Sequence, residues 1–218
     1  MIENKDKIIL DLCGGTGSWA RPYKEAGYDV RLVTMPDNDV RTYKPPENVY
    51  GVLAAPPCTE FAVSGTRWWS SKPPELLAEA IEVAKACLRI INECKPEWWA
   101  LENPVGRLPR CVPELGRWRY TFQPYDYGDP WTKRTCIWGE HNIPVKHPVS
   151  SLGSYQGSGH TSHGSTLGIV DHPIMLLGEG ECLLRWDWIH HLPPSKDRQM
   201  LRSITPPHFA RAFFEANK

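Results

Sequence analysis

The run Val49-Tyr50-Gly51-Val52-Leu53-Ala54 stops at Ala55-Pro56-Pro57-Cys58, and that junction constrains the fold more than any other stretch of the chain. Six mostly apolar residues with sharp boundaries have the length and pattern of a buried parallel strand. Proline cannot donate to a ladder, and two in a row stiffen the exit, so Cys58 leaves the sheet edge at a fixed angle. In an open α/β sheet that carboxyl edge is where ligands bind. A free cysteine is by default a small buried thiol and only exceptionally a nucleophile. What separates the two readings is the chemistry that other strands bring to the same edge.

Ile8-Ile9-Leu10-Asp11-Leu12 reads as the first buried strand and runs into Cys13-Gly14-Gly15-Thr16-Gly17-Ser18-Trp19. A helix over residues 20–26 follows, with Gly27 as its C-cap. A strand, a glycine turn and a helix place backbone amides and a helix N-terminus beside a ligand. The glycines let that backbone approach closely. The turn lacks the Gly-Lys-Ser/Thr of a phosphate loop and the full Gly-x-Gly-x-x-Gly of dinucleotide binders. Asp11 followed by Gly-Gly-x-Gly suits a nucleoside with a cationic tail, such as S-adenosylmethionine; a ligand-free glycine turn is the alternative. Residues 28–33 read as a second strand, with Met35-Pro36-Asp37-Asn38-Asp39 close behind and no room for a normal helix. Asp37 or Asp39 could accept hydrogen bonds from a ribose or an adenine amino group, or serve its own turn.

Beyond Cys58, residues 66–72 (Thr-Arg-Trp-Trp-Ser-Ser-Lys) form a polar, aromatic and basic loop suited to a lid. Pro73-Pro74 then opens an amphipathic helix whose expected inner face is Leu76, Leu77, Ala80, Ile81, Ala84, Leu88 and Ile91. Residues 96–101 read as a strand that delivers Glu102-Asn103-Pro104 to the edge where Cys58 lies. Arg107, Arg110, Arg117 and Arg119 crowd the next segment, opposed only by Glu114. Such a run is usually a solvated face, but in a chain with 25 basic and 25 acidic residues it is the best candidate for a phosphate-binding patch. Residues 120–125 and 135–139 read as two more strands, with Tyr127-Gly128-Asp129-Pro130-Trp131-Thr132-Lys133-Arg134 between them.

In this order the motifs resemble those of the DNA (cytosine-5) methyltransferases. Asp11-Leu12-Cys13-Gly14-Gly15-Thr16-Gly17 resembles that family's S-adenosylmethionine motif, and Pro57-Cys58-x-x-Phe61-x-x-Ser64-Gly65 its nucleophile motif. Glu102-Asn103 matches its Glu-Asn pair, and Tyr127-Gly128-x-Pro130 with Lys133-Arg134 resembles its arginine motif. Ser203-Ile204-Thr205-Pro206-Pro207 and the helix through Ala216 stand where the last motif closes on the cofactor pocket. Each motif is weak alone; five in sequence order are specific. The resemblance implies an α/β fold with a doubly wound, mostly parallel, Rossmann-like sheet, and methyl transfer to C5 of cytosine in DNA. It implies Cys58, Glu102 and Arg134 as catalytic residues, Arg134 being placed by counting back from the strand that follows. Asp11, Leu12, Cys13, Gly14, Gly15, Gly17, Trp19, Pro56 and Thr205, with Asp37 or Asp39, would surround S-adenosylmethionine. Arg67, Lys72, Arg107, Arg110, Arg117, Arg119 and Lys133 are the expected DNA contacts, with the target cytosine flipped out of the duplex.

The chain also departs from the family pattern. Cys13 stands where an aromatic residue usually packs on the cofactor, Pro104 where valine is usual, and the arginine motif carries one extra residue. Residues 1–139 with 196–218 form the expected catalytic domain, which leaves only 140–195 for target recognition. That region is rich in glycine and serine between Ser150 and Ser165. Its His160, His163 and His172 with Cys182, His190 and His191 lack a closed zinc spacing, so no metal is expected. Arg185-Trp186-Asp187-Trp188 could form a base platform, although packing is the commoner use of tryptophan. No apolar run approaches the roughly 18 residues of a membrane span. The charged start, the odd number of cysteines (seven) and the absence of a leader pattern fit a reducing cytoplasm, and a monomer is expected. Nuclease and kinase readings fail for want of a carboxylate cluster or a phosphate loop. A substituted methyl donor, an RNA or free-nucleotide substrate, and a catalytically inactive DNA-binding relative remain as alternatives.

Overall fold

The protein is described by a computed structural model covering residues 3–129, 131–148 and 197–218, together with 189, 192 and 195. Most of the expected recognition region, including the glycine-serine stretch, the histidine-cysteine group and Arg185 to Trp188, lies outside the described residues, as does Pro130.

Six strands form one sheet: β1 (Ile8–Leu12), β2 (Asp29–Val33), β3 (Val49–Ala54), β4 (Trp98–Pro104), β5 (Tyr120–Phe122) and β6 (Thr135–Glu140). Their spatial order is β2-β1-β3-β4-β6-β5. The helices are α1 (Arg21–Glu25), α2 (Pro74–Cys94), α3 (Leu108–Cys111), α4 (Arg198–Ser203) and α5 (Pro207–Ala216). From β2 to β4 neighbouring strands pair in parallel, as the apolar runs predict. At β6 the sheet departs from the expected mostly parallel design, because β6 pairs antiparallel with both β4 and β5. The link from β5 to β6 holds only a short 3-10 turn over Pro124–Tyr127. A parallel return needs a crossover that spans the sheet, usually a helix, and with no α-helix in this link the two strands run antiparallel.

Alternation along the strands supplies two cores. Leu10, Leu12, Val52, Ala54 and Leu101 face α2 on one side. Ile9, Leu53, Ala100 and Ile137 face the aromatic layer of α1 and α5 on the other, with Trp19, Tyr23, Phe209, Phe213 and Phe214. The stripe of α2 against the sheet is Ala80, Ala84, Cys87 and Ile91, flanked by Ala86 and Ile90. Leu76, expected on the inner face, is exposed, and Leu77, Ile81 and Leu88 pack only at its margin. Small side chains on the central stripe let the helix approach the strands closely, which moves the larger residues to its edges. α2 ends at Lys95, in the left-handed conformation (φ 46°), and Pro96 follows it. Among the described residues no helix is long and apolar enough to cross a membrane.

Candidate active site

β1 is followed outward by β2 on one side and, after the chain returns, by β3 and β4 on the other. The strand order therefore reverses between β1 and β3, and the carboxyl ends there border a crevice. Leu12 is level with Ala54, and Ala54 with Leu101, so the three strand exits emerge side by side. β4 alone continues past that edge, because antiparallel pairing with β6 holds it to Pro104. Glu102 and Asn103, expected just after the strand, thus belong to it, opposite Ile137 and Cys136. The ladder fixes their direction more firmly than a loop would.

Cys58 directly follows the two prolines and opens a turn, in which its carbonyl accepts from the amides of Phe61 and Ala62, both at 2.9 Å. The Asn103 side-chain amide donates to the Pro56 carbonyl at 2.9 Å. Glu102 is nearly buried, and the Lys133 ammonium sits 3.6 Å from its Oε1. Burial pushes the Cys58 thiol up; the charge of Lys133 pulls it down, Glu102 raises it, and Arg202 lowers it. Cys58, Glu102, Lys133 and Arg202 thus share one electrostatic environment, delivered by the β3 exit, β4, the approach to β6, and α4. Arg202 stands directly before Ser203, just outside the last motif, and no sequence pattern marks it.

The arginine motif is arranged differently from the expectation. Arg134 is exposed, and its carbonyl accepts from the Val105 amide at 3.3 Å. Lys133 takes the inward position, since successive residues of an extended chain point to opposite faces. Its own amide donates to Gln123 Oε1 at 2.9 Å, and its carbonyl accepts from the Thr135 hydroxyl at 2.8 Å.

On the neighbouring side of the crevice, Asp11 is wholly buried. Neither carboxyl oxygen has a hydrogen-bond partner of ordinary geometry. Burial raises its pKa to about 7, with the Ala20 amide lowering it only in part. A Cβ on Gly14 would stand 2.3 Å from that carboxyl group, so only glycine fits against it. Gly15 and Gly17 hold positive φ, and the Gly17 amide closes a turn on the Gly14 carbonyl. The segment after α4 returns to this loop: the Thr205 amide donates to Ser18 Oγ at 3.0 Å, and Thr205 is buried. Leu12 lies in the core, and Cys13 packs at its margin with Sγ 3.9 Å from that of Cys87.

Trp19, expected against the cofactor, is buried among Phe209 and Phe213 in the opposite core. Its apolar ring completes that aromatic layer. Asp39 is engaged by the Arg41 side chain and amide, which hold it below the usual carboxylate range, whereas Asp37 is exposed in the turn after β2.

The basic residues expected on DNA divide into two groups. Lys72 pairs with buried Glu60 at 2.6 Å and donates to the Thr59 carbonyl. Arg107 donates to the Glu60 carbonyl at 2.8 Å and lies over the Trp69 ring at 4.1 Å. One nitrogen of Arg119 donates to the His141 carbonyl. These three hold protein groups, and Lys133 faces Glu102. Arg67, stacked on exposed Trp68, and the exposed Arg110 and Arg117 face solvent. Glu114, the one acid in the arginine run, is paired with Lys85 on α2. The lid expected over residues 66–72 is a folded element: a 3-10 helix (Val63–Trp68) whose start is bonded to Val105, while the Arg107 amide donates to the Phe61 carbonyl. A Cβ on Gly106 would collide with that carbonyl, at 1.8 Å.

No protein-family model matches the chain. No curated protein matches it either. Among solved structures it is similar to one provisionally described as a DNA modification methyltransferase encoded within a prophage (E. coli), with a TM-score of 0.45 and 16% identity. The match covers 64% of this chain and 47% of that one, so the chain spans about half the length of the structure it matches.

Proposed function

We propose that the protein transfers the methyl group of S-adenosylmethionine to C5 of cytosine in DNA. The observation that carries this reading is the convergence of Cys58, Glu102 and Lys133 at one sheet edge, next to the orphaned carboxyl of Asp11. The donor set fits the cofactor: a buried acid without a partner suits its cationic amino group, and the glycine turn leaves room beside it. When bound, the cofactor supplies an electrophilic methyl group on a sulfonium.

Cytosine C5 is too weak a nucleophile to take that methyl group unaided. The Cys58 thiolate forms a bond to C6, and the electron pair of the C5–C6 double bond becomes available at C5. The Glu102 carboxylate takes up a proton from solvent as the base enters and gives it to N3, which draws negative charge out of the ring as the sulfur adds. C5 would then form its bond to the methyl carbon as the methyl–sulfur bond breaks and its electron pair passes to sulfur. Solvent then takes the C5 proton, the electron pair left behind restores the C5–C6 double bond and expels the Cys58 thiolate, and the N3 proton returns to solvent through Glu102, so the enzyme is regenerated. Lys133 and Arg202 favour the thiolate against the effect of burial. The target base is stacked inside a duplex, and flipping it costs a few kcal/mol that contacts with the protein must offset.

Incubating DNA with the protein and cofactor, then digesting to nucleosides for mass spectrometry, tests the reading. 5-Methylcytosine is the expected product. A methyl group on an exocyclic nitrogen, or none on DNA but one on RNA or free nucleotide, overturns it.

A further inference from the structure

We propose that Lys133, and not its neighbour Arg134, is the positioning residue that holds the Glu102 carboxylate and supplies the inward-facing positive charge beside Cys58. This rests on the proposed role of Cys58 and Glu102. Lys133 is about nine-tenths buried, with only 10% of its side chain accessible against 12% for Glu102. A buried ammonium is stable only when paired, and the carboxylate 3.6 Å away is its partner. Its backbone is pinned on both sides, by Gln123 on the amide and Thr135 on the carbonyl. Gln123 is itself fixed, since its amide donates to Asp126 in a reciprocal capping arrangement. The preceding turn therefore sets where the ammonium lies. Arg134 stands on the opposite face, exposed, with its charge felt at Cys136.

Three charged groups face Cys58 from the elements around it: Glu102 from β4, Lys133 from the approach to β6, and Arg202 from α4. Removing Lys133 leaves Glu102 uncompensated on one side, which disfavours the thiolate twice: one positive charge is lost, and one negative charge is no longer paired. Lysine to arginine keeps the charge, and lysine to methionine or glutamine removes it while keeping most of the stem.

The test reads the thiol directly, with no DNA or cofactor present. Alkylation of Cys58 in the full chain by iodoacetamide is followed across pH by mass spectrometry of the Cys58 peptide. The midpoint for Lys133→Met is expected to rise by about one unit, making alkylation about tenfold slower well below the midpoint, and Lys133→Arg is expected to restore the wild-type profile. Arg134→Met is expected to follow the wild type. If Lys133→Met does not fold, Lys133→Gln gives the same measurement with a polar end. A shifted midpoint in Arg134→Met with none in the Lys133 variants overturns the assignment. The profile is independent of methyl transfer: an expected shift in a protein that never modifies cytosine would refute the function and leave Lys133 in place. The unshifted profile in an active methyltransferase would do the reverse.

Discussion

The side-chain amide of Asn103 donates to the carbonyl of Pro56, so the strand that carries Glu102 is bonded directly to the loop that carries Cys58. The two groups belong to segments 44 residues apart, yet one hydrogen bond and one strand register fix their separation. Replacing Asn103 with leucine keeps the volume and leaves the Pro56 carbonyl unpaired in a buried place, which costs about 1–3 kcal/mol. Urea unfolding should show that loss, and methyl transfer should slow further than stability alone explains. Full activity in a destabilised Asn103→Leu would mean that the tether serves only the fold.

The covalent step gives a sharper test. Cys58→Ser should lose turnover while binding the cofactor nearly as well as the wild type, because the thiol attacks the base. DNA carrying 5-fluorocytosine should trap the wild-type protein as an adduct, since no proton can leave C5. A serine variant that forms adduct at the wild-type rate would remove Cys58 from the mechanism.

Two buried groups give the fold opposing responses to pH. Asp11 titrates at about 7 in the folded protein against 3.8 as its ordinary value. Between those values the folded state keeps a proton that the unfolded chain has released, so stability falls as pH rises through that window. His141 is the reverse. Burial lowers it from 6.5 to about 4, with the Trp99 carbonyl opposing, so the unfolded chain holds the extra proton and stability rises with pH over that range. Each contributes on the order of 3–4 kcal/mol across its window, and from about pH 4 to 6.5 the two nearly cancel. Asp11→Asn should therefore make stability climb with pH, and His141→Phe should make it fall, measured by urea unfolding at stepped pH. Parallel curves for wild type and both variants would contradict this assignment of burial.

S-adenosylmethionine affinity should depend on the same carboxyl. If Asp11 receives the cofactor's cationic end, only its ionised form does so, and affinity should rise with pH towards a plateau above about 7. Gly14→Ala should weaken that binding strongly, because its Cβ would occupy the space of the Asp11 carboxyl. Calorimetry checks both. Glu102→Gln, by contrast, should lower the rate of transfer and leave cofactor affinity nearly unchanged.

The strands and the edge they share were legible because buried apolar runs ending at Asp11, at Pro56-Pro57 and at Glu102 state both burial and polarity in a few residues. β1 and β3 fall where the runs place them. The antiparallel end of the sheet was not legible: residues 120–125 read as one strand, but Pro124 opens a turn and β5 ends at Phe122. Side-chain direction was harder still. Lys133 and Arg134 are both basic and adjacent, and only the register of β6 against β4 says which of them faces Glu102. Trp19 sits in the glycine motif, yet its ring packs into the aromatic core against Phe209 and Phe213.

The same distinction governs DNA binding. Four arginines between residues 107 and 119 look equivalent in the sequence, but Arg107 clasps the Cys58 loop through Glu60 and Trp69, and Arg119 is bonded to His141. Arg110 and Arg117 are exposed, and their local acid, Glu114, is occupied by Lys85. Arg110→Gln and Arg117→Gln should each weaken binding to all DNA sequences alike and flatten the salt dependence by about one, with thermal stability unchanged. Arg107→Gln should instead lower thermal stability and loosen the 3-10 helix beside Cys58, with a smaller change in salt slope. Fluorescence anisotropy of labelled duplex over a salt series, paired with thermal melts, separates the two classes. If Arg107→Gln and Arg110→Gln behave alike in both measurements, the clasp does not exist in solution and the phosphate surface extends across the lid.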